Sequence, residues 1–195
     1  MASDKRKIHG GLVLAGGLFG LSLSVLILGA SRGQAKNAGL IGSEAAALTL
    51  PDSSNKPTAL IGTDARPMVL LVARKDLPAG ATLTSEIRQI ADAFTKDSAV
   101  RAVGVQVPTD TGLLDDRTPR PGVFETTAPG LQTLTDTDGT VARAYRVGDG
   151  PTAFVIDEKH VIRGRFPLDR DGTALAVAET VAALRPTTVT PPVAQ

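Results

Sequence analysis

The apolar positions of this chain change period several times, and each change marks an element. Residues 10–30 (GGLVLAGGLFGLSLSVLILGA) carry no charge. At about 1.5 Å per residue, a helix of this run spans the roughly 30 Å hydrocarbon layer of a bilayer. Residues 69–73 (VLLVA) form a shorter continuous run, the mark of a strand buried on both faces. From 82 to 96 the apolar positions Leu83, Ile87, Ile90, Ala91 and Phe94 recur at helical spacing, with Thr82 or Thr84 as the cap. Residues 102–107 (AVGVQV) read as a second buried strand. Strand, helix and strand in this order make a βαβ unit, for which a right-handed crossover is expected.

Residues 109–130 are rich in Pro, Gly, Thr and Asp and read as an irregular surface segment. Residues 140–147 (TVARAYRV) predict a short helix opened by Asp138 or Gly139. A strand at 152–157 (TAFVID), a tight turn at 158–160 and an antiparallel strand at 161–166 (VIRGRF) follow. Residues 172–184 (GTALAVAETVAAL) predict an amphipathic closing helix. With two strands expected ahead of the βαβ unit, this order predicts an α/β fold: a central mixed sheet with helices on both faces. Tyr145 and Phe154 are expected in its core.

The organisation that results is a basic cytoplasmic N-terminus at 1–9, a transmembrane signal anchor at 10–30, a linker at 31–40, a domain at 41–184 and a disordered Pro/Thr tail at 185–195. Lys5, Arg6 and Lys7 precede the apolar run, so the positive-inside rule places the N-terminus in the cytoplasm and the domain in a periplasmic or equivalent space. A cleaved signal peptide is the competing reading, with small residues at Gly33 and Ala35 or at Gly29 and Ser31. Both export the domain. Gly16 and Gly20 form a G-x-x-x-G that lets helix backbones approach closely in lipid. Glycine is also simply frequent in such helices.

Composition narrows the chemistry. The 195 residues include 21 basic and 20 acidic ones, a net charge of +1 that offers no broad footprint for nucleic acid. Aromatic residues make up 3%, so the core rests on Val, Leu, Ile and Ala. There is no cysteine, which removes disulfides, cysteine–zinc sites and thiolate nucleophiles together.

Three segments carry a resemblance. Residues 42–52 (GSEAAALTLPD) are similar to G-x-x-A-P-x-F-x-L-x-D, with Ala46 for the proline and Leu48 for the phenylalanine. The strand and helix from 68 to 94 are the second. The third is 136–166 (DTDGTVARAYRVGDGPTAFVIDEKHVIRGRF), where Tyr145, Val147, Pro151, Thr152, Phe154, Ile156, Asp157 and Ile162 fall in place and His160 replaces a turn glycine. Together they resemble the thioredoxin-like superfamily in its redoxin, peroxiredoxin-like (AhpC/TSA-type) branch. Anchor and domain together resemble exported disulfide-handling proteins. The resemblance implies a thioredoxin-like fold over 41–184 and a cis peptide at Gly150–Pro151, a rare geometry.

The departure lies in the loop after the first buried strand, 74–81 (RKDLPAGA). In one register Leu77, Pro78, Ala79 and Gly80 stand where the resemblance places C-P-x-C. In another, Pro78, Thr82 and Ser85 follow the peroxiredoxin P-x-x-x-T-x-x-C with serine at the cysteine position. Both lose the nucleophile, since thiol chemistry needs a thiolate. No catalytic, metal or cofactor-binding residues are therefore expected. The expected activity is binding: a groove between Leu77, Pro78, Ala79, Gly80 and Gly150, Pro151, Thr152 that takes a protein segment. The chain would serve as an accessory or structural subunit, or an assembly factor, of a membrane complex. The alternatives are a thiol-independent enzyme using Ser85 or Thr82, with a hydroxyl or bound glutathione, or a redoxin that has lost activity.

His9 and His160 are not placed near Ser85 for a triad. The Asp136–Asp138–Gly139 and Asp169–Asp171–Gly172 clusters fail the EF-hand spacing and read as turn and cap residues. Arg163 and Arg165, with Lys159 near, read as a solvated strand face or as an anion or partner contact.

Overall fold

β3 (Met68–Arg74) is buried over residues 68–73, which explains its unbroken apolar run. Its side chains alternate between two cores. Val69, Leu71 and Ala73 meet Leu83, Ile87, Ile90 and Phe94 of helix α1 (Ala81–Phe94) on one face. Met68, Leu70 and Val72 meet Leu50, Leu60 and Tyr145 on the other. Each fully buried Val, Leu or Ile side chain among them contributes about 1.5–3 kcal/mol. The structure, a computed structural model, describes residues 39–63, 65–108 and 121–185. The apolar run at 10–30 with Gly16 and Gly20, the linker up to residue 38, His9, residues 109–120 and the tail at 186–195 lie outside the described residues. Among the described residues no helix is long and apolar enough to cross a membrane.

β4 (Arg101–Val107) pairs parallel with β3, from Met68↔Arg101 to Arg74↔Val107, completing the expected βαβ unit. The sheet is mixed and five-stranded, with β3 in the middle. β5 (Gln132–Thr135) runs parallel to β4 at one edge. β6 (Thr152–Ile156) and β7 (Ile162–Pro167) form the expected antiparallel hairpin on the other side of β3. A separate hairpin, β1 (Thr49–Pro51) with β2 (Pro57–Ala59), belongs to the segment that covers the Met68–Leu70–Val72 face. Helix α4 (Thr173–Leu184) buries Thr173, Ala174, Val177 and Val181 beside α1.

Several expectations need correction. The segment at 109–130 is not irregular throughout: α2 (Val123–Thr127) lies within it and β5 follows at once. α2 places Phe124 against Gly104, where an added Cβ would come within 2.9 Å of the ring, so the glycine inside AVGVQV makes room for an aromatic side chain. Neither Thr82 nor Thr84 caps α1. Its N-cap is Gly80, whose carbonyl already accepts the Thr84 N–H at 2.9 Å, and no side chain caps it. The next helix, α3 (Thr140–Ala144), stops short of residue 147 because Arg146 takes a left-handed φ of 48°.

The Gly150–Pro151 peptide is trans, against the cis bond that the resemblance implies. Pro151 is buried at the entry to β6, a position where proline's missing N–H is tolerated, and its carbonyl accepts the Leu168 N–H at 2.9 Å.

Candidate functional site

Parallel pairing puts the C-terminal ends of β3 and β4 at one end of the sheet, and β6, antiparallel to β3, begins there. The loop after β3 leaves the sheet under backbone control: Lys75 N–H donates to Val107 O (2.9 Å) and Gly80 N–H to Pro78 O (2.9 Å). Leu77 is half-buried against the α1-side core, while Pro78, Ala79 and Gly80 are exposed. On the facing side Gly150 is exposed, whereas Pro151 and Thr152 are buried. Thr152 sits opposite Val72, and its hydroxyl donates to Gly150 O at 3.2 Å.

Arg74 joins the two loops. Its guanidinium reaches Asp76 at 3.3 Å and Asp149 at 3.6 Å. Both carboxylates are exposed, so the bridge orders the loops more than it stabilises them. A Cβ added at Gly80 or Gly150 would meet nothing within 4 Å, so both loops border open space. The structure thus brings all seven predicted groove residues to one end of the sheet.

What this end can do chemically is limited by what it holds. α1 begins here without a side-chain cap, which leaves backbone N–H groups facing outward. Ser85 is exposed, and its Oγ accepts a bond from Gln89 Nε2 at 2.9 Å rather than facing a base. His160 occupies the β6–β7 turn beside the pair Met68↔Ile156, at the opposite end of the sheet, so no triad forms with Ser85. Among the described residues no group of three or more His, Asp or Glu is placed to hold a metal ion.

Sequence reasoning overlooked Gln106. It lies near the C-terminal end of β4, is 3% exposed, and its Nε2 has no hydrogen-bond partner among the described residues. Gly122 packs directly on it: an added Cβ there would fall 1.8 Å from Nε2. The one signal was a polar residue inside an otherwise apolar run.

The remaining polar clusters are structural. Asp136, fully buried, accepts the N–H groups of Val141 (3.1 Å) and Ala142 (3.0 Å) and so caps α3. Asp138 accepts the Thr140 N–H at 3.1 Å, and the Thr140 hydroxyl and N–H hold its carboxyl below the usual range. The cap of α4 comes from Glu86 on α1, which accepts the N–H groups of Gly172 and Ala174. Arg163 donates to Asp157 at 2.7 Å. Burial alone would raise the Asp157 pKa, but the Val161 N–H, the Arg163 guanidinium and the Lys159 N–H outweigh it and hold the carboxyl low. Arg165 lies over the Phe154 ring at 5.8 Å and donates to Arg146 O; burial lowers its pKa. Tyr145 meets Phe154 edge-on at 5.3 Å, and burial pushes its phenol well above the ordinary value.

No family profile matches the sequence, and no curated protein matches it. Solved structures do match in shape. The thioredoxin domain of a thiol-disulfide oxidoreductase from Bacteroides vulgatus superposes with a TM-score of 0.56 at 18% identity, covering 72% of this chain and 97% of that one. A secreted Mycobacterium tuberculosis disulfide oxidoreductase homologous to Escherichia coli DsbE gives 0.52 at 18%, covering 70% and 96%. The peroxidoxin BcpB of M. tuberculosis gives 0.52 at 23%, covering 74% and 97%. The sheet order, the helices on both faces and these superpositions together establish a thioredoxin-like fold, carried by a chain without cysteine.

Proposed function

We propose that this protein is a non-catalytic thioredoxin-like binding module, held at a membrane by residues 10–30 with its domain on the extracytoplasmic side. It serves as an accessory or structural subunit, or an assembly factor, of a membrane complex. The observation that carries this reading is the placement of two loops at one end of the sheet with no nucleophile in either. Leu77, Pro78, Ala79 and Gly80 lie at the same end of the sheet as Gly150, Pro151 and Thr152, Arg74 reaches Asp149 at that end, and no cysteine stands among them. The uncapped α1 N–H groups and the apolar Leu77 suit an extended segment that offers carbonyls and apolar side chains. The export of the domain rests on the sequence of residues 1–30.

The test is the native mass of the full-length protein, solubilised gently from its own membranes, with co-migrating chains identified. Migration in a defined assembly that Gly80→Trp disperses supports the reading. Migration as a lone monomer overturns the subunit role.

A further inference from the structure

Aspartate precedes glycine at three places in this chain: Asp138–Gly139, Asp149–Gly150 and Asp171–Gly172. Such pairs are chemically labile, because a glycine nitrogen, with no Cβ beside it to shield it, can attack the carboxyl of the residue before it. The attack needs a nitrogen that is not already engaged and a carboxyl free to swing onto it. The fold treats the three pairs differently.

Gly139 N–H donates to Asp136 O at 3.2 Å, and the Asp138 carboxylate is turned to the Thr140 N–H at 3.1 Å. Gly172 N–H donates to Glu86 Oε1 at 2.9 Å. Both glycines are N-caps, of α3 and α4, and their carbonyls accept the N–H groups of Arg143 and Ala176. Gly150 N–H, by contrast, has no acceptor among the described residues; its carbonyl alone is engaged, by the Thr152 hydroxyl. Asp149 is fully exposed, and its contact with Arg74, at 3.6 Å, is beyond hydrogen-bond reach. Gly148, Asp149 and Gly150 form an exposed run between Val147, whose N–H donates to Ala142 O at 2.8 Å, and the buried Pro151. A Cβ added at Gly148 or Gly150 would meet nothing within 4 Å, so a ring closing there has open space. Small, exposed loop tips of this kind are where covalent change concentrates.

We infer that Asp149–Gly150 is a site of isoaspartate formation. The Gly150 nitrogen bonds to Asp149 Cγ, the carboxyl hydroxyl leaves as water with the amide proton, and a cyclic succinimide closes. Water then opens the ring. Attack at Cγ restores aspartate; attack at the main-chain carbonyl leaves residues 149 and 150 joined through Cβ and Cγ, with the former main-chain carboxyl free. One water is lost and one regained, so the net change is an isomerisation. The main chain gains a methylene between Val147 and Pro151, and the free carboxylate moves to Cα, which breaks the contact with Arg74. This assignment rests on the Gly150 nitrogen and stands independently of the binding role above.

The experiment ages the full-length, detergent-solubilised protein in warm, mildly acidic buffer, where a protonated carboxyl can leave as water. A parallel sample is aged in urea. Peptides are then mapped by electron-transfer fragmentation, which distinguishes isoaspartate from aspartate of equal mass. Isoaspartate should accumulate at residue 149 several-fold faster than at 138 or 171 in the folded protein, and the three rates should converge in urea. Gly150→Ala, placed where a Cβ meets nothing, should slow the reaction at 149 several-fold. Glu86→Ala, which releases the Gly172 N–H, should speed the reaction at 171 and leave 149 unchanged. No isoaspartate at 149, rates that differ no more in the folded protein than in urea, or a rate at 171 indifferent to Glu86→Ala overturns the proposal.

Discussion

At the β6–β7 turn, the Asp157 carboxylate gathers the N–H groups of Lys159 and Val161 and the guanidinium of Arg163. Gly42 and Ala45 add backbone bonds to Ile162 O and His160 O. At the other end of the same sheet, the loop after β3 is shaped by backbone bonds and by Arg74 reaching two exposed carboxylates. The first end is tied down by a buried acid, and its turn tolerates His160 at a left-handed φ of 61°. The second end exposes Pro78, Ala79, Gly80 and Gly150 to open space. The contrast teaches that part of the site is separable from the scaffold: Pro151 and Thr152 belong to the buried network, whereas Pro78, Ala79, Gly80 and Gly150 stand outside it.

The sharpest way to break this contrast is to cut the shared core and compare it with the loop. Leu70→Ala, at 0% exposure in β3, should cost about 2–5 kcal/mol in urea unfolding, whereas Leu77→Ala should cost about 1 kcal/mol or less. Equal losses would mean that the loop is part of the core. Next comes Asp157. Its carboxyl is held below the ordinary value, so its contribution is complete above about pH 3.9 and is lost as pH falls through the lower folded value. Asp157→Asn should therefore cost about 1–3 kcal/mol at neutral pH, and less in strong acid. Urea curves at several pH values read this directly; a loss independent of pH would show that the charge is irrelevant.

Glu86→Ala strips the cap from α4 and should cost about 0.5–2 kcal/mol, with faster amide exchange at Gly172 and Ala174. Unchanged exchange at those amides would assign them another partner. His160→Gly relieves the left-handed turn and should stabilise by about 0.5–1 kcal/mol. Smallest of all, Asp149→Ala should leave the urea midpoint where it is, because exposed ion pairs contribute little. A clear shift there would show that the bridge between the two loops is structural.

The parts of this fold legible in the sequence are those whose signal is local. β3 and β4 announce themselves as apolar runs, α1 by the spacing from Leu83 to Phe94, and the β6–β7 hairpin by its strand–turn–strand pattern. β5 escaped because an edge strand reads QTLT, with Leu134 alone buried. α2 is too short to show a period. The caps that matter were hidden for another reason. Glu86 serves a helix whose N-cap lies 86 positions further on, and Asp136 acts across five and six residues. At the candidate site, the positions of the seven loop residues were legible from the resemblance, but the trans bond at Pro151 and the stranded amide of Gln106 depend on tertiary packing that no short motif encodes.

The Glu86 cap also bears on the order in which the molecule is made. A ribosome delivers α1 well before the start of α4, so for that interval the Glu86 carboxylate has no helix end to receive and stays with water. Moving it into the interior ahead of its donors would strand a charge in an apolar core. The buried position of Glu86 on α1 is therefore satisfied only once α4 supplies the Gly172 and Ala174 N–H groups.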